Sequence, residues 1–146
     1  MAQKKIHPVP TRVRELFYEF TTKHHGAGNS SDACWAKGIS EPEEFQVFDD
    51  GVAFQIMDEG GDVYGVLRQG DSLRELGTWQ QQVAEFPVTL APTPWHGYPV
   101  YPCNSSAPEN RRGERMRPSK AVFIRMEVVG LITTPQRKRL MKGDHV

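Results

Sequence analysis

The chain has two cysteines, no long apolar run and no net charge, and each shortage removes a class of protein. Cys34 and Cys103 lie 69 positions apart, and neither they nor the five histidines form a CxxC or HxxxH spacing. A zinc site is therefore not expected, and without a leader segment the cysteines read as two free thiols. No stretch approaches the roughly 18 apolar residues that a membrane span needs. Met1 to Pro10 holds Lys4 and Lys5 but no apolar run behind them, so neither secretion nor membrane insertion is expected and the protein reads as cytoplasmic. No GxxxxGK[ST] or GxGxxG supplies a phosphate cradle, and no GxSxG marks an acyl-transfer nucleophile. No cofactor is implied.

What is present is a sorted charge. Residues 27 to 90 hold twelve acidic side chains against three basic ones, a net of −9. Residues 107 to 146 carry +6, residues 1 to 26 carry +3, and residues 91 to 106 carry none. Opposite charge in separate stretches serves either attraction within one fold or attraction of an anionic partner to a basic face. At 146 residues the chain fits a single domain that buries about two thirds of its unfolded surface. Thirteen glycines and eleven prolines predict abundant loops, with a flexible stretch over 1–10 and a basic, mobile loop over 104–118.

Periodicity gives an α+β reading. Thr11 caps a predicted N-terminal helix in which Val13, Leu16, Phe17 and Phe20 share a face. Phe45–Phe48, Val52–Met57 and Val63–Arg68 read as an antiparallel β-meander of three strands, with a fourth open at Leu73–Trp79. Asp49-Asp50-Gly51 and Glu59-Gly60-Gly61-Asp62 are its predicted hairpin turns. Thr78 and Gln81 fit a capping box for a short helix through Trp79, Val83 and Phe86, ended by Pro87. From Pro87 to Pro102, five prolines alternate with Trp95, Tyr98 and Tyr101, which predicts an extended strap pinned by its aromatics. Residues 120 to 129 fit both a strand and a helix, and the caps Ser119 and Gly130 favour the helix. Thr134 then caps a last helix, with Pro135 at its first position and Gly143 past its end. The expected fold is an N-terminal helix packed on a three- or four-stranded antiparallel meander, followed by a C-terminal helical pair.

Three constellations bear on function. Arg111, Arg112, Arg115 and Arg117 precede the helical pair, and Arg137, Lys138, Arg139 and Lys142 decorate its last helix. Such a layout suits a phosphate backbone, each neutralised phosphate releasing a counterion, while its plain alternative is a solvated face balanced by the acidic middle. Trp95 and Tyr98 present either a recognition surface or a cover for one sheet face. His96, with His24 or His25 and Arg112, could supply the base, acid and cation of a metal-independent ribonuclease. Asp49, Asp50, Asp58, Glu59 and Asp62 sit at predicted turns without EF-hand spacing, so turn chemistry accounts for them and no metal is expected. The preferred reading is a small non-enzymatic binding or regulatory protein, docking a protein or nucleic acid through its basic tail or its acidic meander face. The ribonuclease is its rival. Membrane partners are not expected, and oligomeric state stays open.

Overall fold

The computed structural model describes residues 9–12, 16–21, 34–78, 80–90, 92–100 and 118–146. Over these the protein is a mixture of helices and antiparallel sheets: β1 (Val9–Pro10), β2 (Phe17–Tyr18), α1 (Glu41–Ala53), β3 (Val63–Gly65), β4 (Arg68–Gln69), β5 (Ser72–Leu73), β6 (Val83–Phe86), β7 (Tyr98–Val100), α2 (Lys120–Val128) and α3 (Thr134–Met141). A three-stranded sheet in the order β3-β6-β7 forms the centre, with two-stranded β1-β2 and β4-β5 ribbons beside it. No described helix is long and apolar enough to cross a membrane.

Register divides the central sheet into two faces. Val63 pairs with Phe86, Gly65 with Ala84 and Ala84 with Pro99, and this face packs under α1 with Val47, Phe48 and Val52. Tyr64 pairs with Glu85 and Glu85 with Tyr98, while Val83 pairs with Val100. That second face meets Val122, Phe123 and Met126 of α2 and Leu140 of α3. Alternation along each strand thus sends successive side chains to opposite helical layers. Pro99 is tolerated because β7 is an edge strand, where one missing donor breaks no ladder on its free side.

The helix that packs on the sheet is not the one expected. Residues 45–53, read as strand and turn, lie in α1. Its start is set by Ser40 and Glu43, which cap each other's backbone amides, with Pro42 in the first turn. Its inner face is Glu44, Val47, Phe48, Gly51 and Val52, a spacing of i, i+3, i+4, i+7, i+8. Gly51 is therefore no turn residue: a Cβ there would stand 2.4 Å from the Tyr64 carbonyl oxygen, and one at Gly65 would stand 2.3 Å from that of Val47. These two glycines let helix and strand backbones touch.

Nor is the segment from Thr11 helical where it is described. Val9–Pro10 pairs with Phe17–Tyr18, and the Thr11 amide donates to the Leu16 carbonyl. Phe17 and Tyr18 then alternate, Phe17 43% exposed and Tyr18 fully buried. The proline strap explains this outcome. The Trp95 amide donates to the Phe17 carbonyl and the Glu19 amide to the Trp95 carbonyl, so pairing distant in sequence overrides the local helical period.

The predicted helix over 78–86 is likewise a strand at its end, since Val83–Phe86 is the central strand of the sheet. The Gly77 amide donates to the Gln81 carbonyl and the Gln80 amide to the Gly77 carbonyl, with Gln80 at φ 64°, just before it. Several expectations do hold. Met57 and Val63 pair across the Glu59–Asp62 turn, where Gly61 has φ 94°, and 120–128 is helical with Gly130 at φ 83° beyond it. The final cap sits one residue earlier than expected: Thr133 accepts from the Gln136 amide, and Pro135 is the second helical residue. The helical pair itself is as expected.

Candidate functional site

The basic face of the C-terminal pair is assembled by how its helices bury their other sides. In α2, Val122, Phe123 and Met126 face the core, leaving Lys120, Ala121, Ile124 and Val128 outward. In α3, Gln136 and Leu140 face inward, leaving Lys138, Arg139 and Lys142 exposed. The seam between the helices is polar: Thr134 Oγ1 and Arg137 Nε both donate to Glu127. Those hydrogen bonds, Thr134 first, hold the Glu127 carboxyl below its ordinary range. Arg137 is therefore part of the helix–helix contact, which sets it apart from its three exposed neighbours. Arg125 is also engaged, its Nε donating to the Phe54 carbonyl at 3.2 Å beyond the end of α1.

The acidic middle meets other basic side chains. Arg12 bridges Asp49 and Asp50 at 2.9 Å each, Arg74 pairs with Glu43 at 2.6 Å, and His145 lies 2.8 Å from Glu75. Among the described residues, none of Lys120, Lys138, Arg139 and Lys142 forms an ion pair within 4.0 Å with that acidic segment. Arg111, Arg112, Arg115 and Arg117 lie outside the described residues.

Trp95 is 7% exposed and packs against Phe48, ring centroids 5.7 Å apart, so it belongs to the core beneath α1. Tyr98 is half-buried on the opposite face of the sheet, against the C-terminal helices. His96 is partly buried between Trp95 and Gly97, whose carbonyl accepts the Trp35 indole N–H at 3.0 Å. His24, His25 and Arg112, its partners in the ribonuclease reading, lie outside the described residues, as does Cys103. His145 stands elsewhere, on a cleft of about 360 Å³ that also involves Leu73, Arg74, Glu75 and Val146. There the buried Gln82 carboxamide both donates to and accepts from the backbone of Val146.

The sheet also builds a carboxyl cluster that no sequence motif marks. Asp58, Asp62 and Glu85 bring one oxygen each within 4.8 Å of one another. Asp58 accepts from the Gly60 and Asp62 amides and from the Tyr64 hydroxyl, which also lies 3.1 Å from Glu85. Asp62 accepts from the Val88 amide at 2.9 Å. One phenol proton cannot serve two carboxylates, so a second proton on Glu85 completes the set. Burial, then the hydrogen bond and charge of Asp62, push Glu85 up to about 8. Burial and the same carboxyls push the Tyr64 phenol far above its ordinary value. Oxygens of this kind suit a divalent cation, but the Glu85 proton would have to leave first. The expectation that turn chemistry explains Asp58 and Asp62 captures their amide contacts and misses Glu85, which arrives from β6.

A second buried pair ties the N-terminal ribbon to α1. The Tyr18 hydroxyl donates to Glu44, both residues being almost wholly buried, and burial followed by the Glu44 charge raises the phenol well above its ordinary range. Tyr18→Phe should cost about 1–3 kcal/mol, because it takes a donor from a buried carboxyl. Urea midpoints check this, with the loss expected to shrink in a Glu44→Leu background, where no carboxyl needs the donor.

No protein-family model, curated protein or solved structure matches the chain, so its residues and their placement alone carry the functional reading.

Proposed function

We propose that this protein is a small non-enzymatic binding or regulatory protein that docks an anionic macromolecular partner through the basic face of α2 and α3. One observation carries the reading. In the acidic segment Arg12 pairs with Asp49 and Asp50, Arg74 pairs with Glu43, and Glu44 and the Glu85 cluster are turned inward, while Lys120, Lys138, Arg139 and Lys142 stand on the surface without carboxylates from that segment. Cations left exposed on one face attract polyanions over a Debye length and raise association rates. The acidic segment makes a poorer docking face, because so many of its carboxylates already have partners. Four arginines at 111–117 add to the positive charge just before α2 in sequence.

The test is binding to immobilised heparin, a generic polyanion, across a salt series. Wild type should be retained and should elute progressively earlier as salt rises. Lys138→Glu/Arg139→Glu/Lys142→Glu should lose most retention at equal stability, because all three side chains are exposed. Arg137 is left out of the variant because its reversal would break the contact with Glu127. Unchanged retention by the triple variant would remove this face from the account.

A further inference from the structure

The exposed surface of the C-terminal pair is not uniformly charged. Ile124 is 48% and Val128 70% exposed, one turn apart on the outward stripe of α2 that begins with Lys120. A single exposed aliphatic side chain needs no explanation. Here two of them lie next to Glu127, the residue that joins α2 to α3 through Thr134 and Arg137. On the other side of that seam Thr134, Lys138 and Lys142 repeat at i, i+4, i+8, and the charge of Lys138 reaches Glu127. An aliphatic ridge and a lysine ridge therefore flank one helix–helix seam.

We infer that the partner of this face is an acidic amphipathic helix of another protein, its apolar stripe seated on Ile124 and Val128 and its carboxylates facing Lys120, Lys138 and Lys142. This rests on the docking face proposed above and specifies its ligand. Charge complementarity selects the acidic sign, and the aliphatic ridge selects a partner with a side chain to bury. Nucleic acid fits less well: its backbone rewards cations, whereas Ile124 and Val128 would occupy the centre of the footprint with nothing apolar to bury against. A membrane surface fits less well too, since the ridge has two aliphatic residues and no aromatic anchor on helices of nine and eight residues.

The experiment uses three probes with the full chain: a synthetic helical peptide with leucine on one face and glutamate on the other, polyuridine, and vesicles rich in phosphatidylserine. Wild type is compared with Ile124→Ser/Val128→Ser and with Lys138→Glu/Lys142→Glu, their folding checked by circular dichroism. Wild type should bind the peptide most tightly, and each double variant should weaken that binding about tenfold or more. Three results overturn the inference and leave the docking face standing: peptide affinity indifferent to the serine pair, tighter binding of polyuridine than of peptide with the serine pair silent, or binding of vesicles alone. Wild type that ignores all three probes would overturn the docking face as well.

Discussion

Phe86→Ala should destabilise the protein by about 3–5 kcal/mol and lower its melting temperature by on the order of 10 °C. Phe86 is fully buried on the central strand, with the rings of Tyr18, Trp35 and Phe48 at centroid distances of 5.7, 6.3 and 5.0 Å. It joins the central strand, α1, the N-terminal ribbon and the chain around Trp35, so its loss leaves a cavity bounded by elements that cannot all collapse toward one another. Phe17→Ala is the internal contrast. The predicted N-terminal helix would bury that ring, but it is 43% exposed, and its removal should cost under about 1 kcal/mol. Thermal and urea unfolding of both variants check the pair. Equal losses would mean that the ribbon does not present Tyr18 inward and Phe17 outward.

Stability should fall as pH rises from about 5 to 9, and Glu85 should account for much of the fall. An unfolded Glu85 releases its proton near the ordinary 4.5, whereas the folded carboxyl holds it to about 8. Between those values the folded state binds more protons than the unfolded chain, so raising the pH favours unfolding. The contribution is complete below the lower value and lost through the upper one. At about 1.4 kcal/mol per pH unit the ceiling is about 5 kcal/mol, and relaxation of the half-buried site brings the expected figure to roughly 2–4. Glu85→Gln keeps the shape without the titration. It should flatten the profile and make the variant more stable than wild type at pH 9. Parallel profiles for the two proteins would show that Asp58, Asp62 and Tyr64 do not share a proton with Glu85.

How far these features can be read from residues depends on whether their cause is local. The C-terminal pair is legible because its punctuation is local: Ser119 stands at the N-cap position of α2 without a side-chain capping bond, Gly130 and Gly143 follow the two helices, Pro135 lies in the first turn of α3, and the error at the Thr133 cap is one residue. α1 carries an equally local signal, the Ser40–Glu43 box with Pro42, but its inner face includes Glu44 and Gly51, so an apolar count misses the period. The strand at 83–86 depends on partners far along the chain, as does β2 through its backbone bonds to Trp95, and helical spacing within ten residues says nothing of them. The same distinction governs the sites. Charge segregation is visible in composition, whereas the Glu85 cluster arises from the register that sets Glu85 opposite Tyr64. The outward stripe of Ile124 and Val128 shows only once the buried side of α2 is known.

The central claim is that a polyanion meets this protein on the outward face of α2 and α3. Amide chemical-shift mapping of the isotope-labelled chain during titration with a short heparin oligosaccharide tests it most directly. Shifts are predicted at Lys120, Ala121, Ile124, Lys138, Arg139 and Lys142, fading as salt is added, with α1 and the 58–62 turn unmoved. Shifts centred on α1, or on the cleft beside His145, would contradict the account.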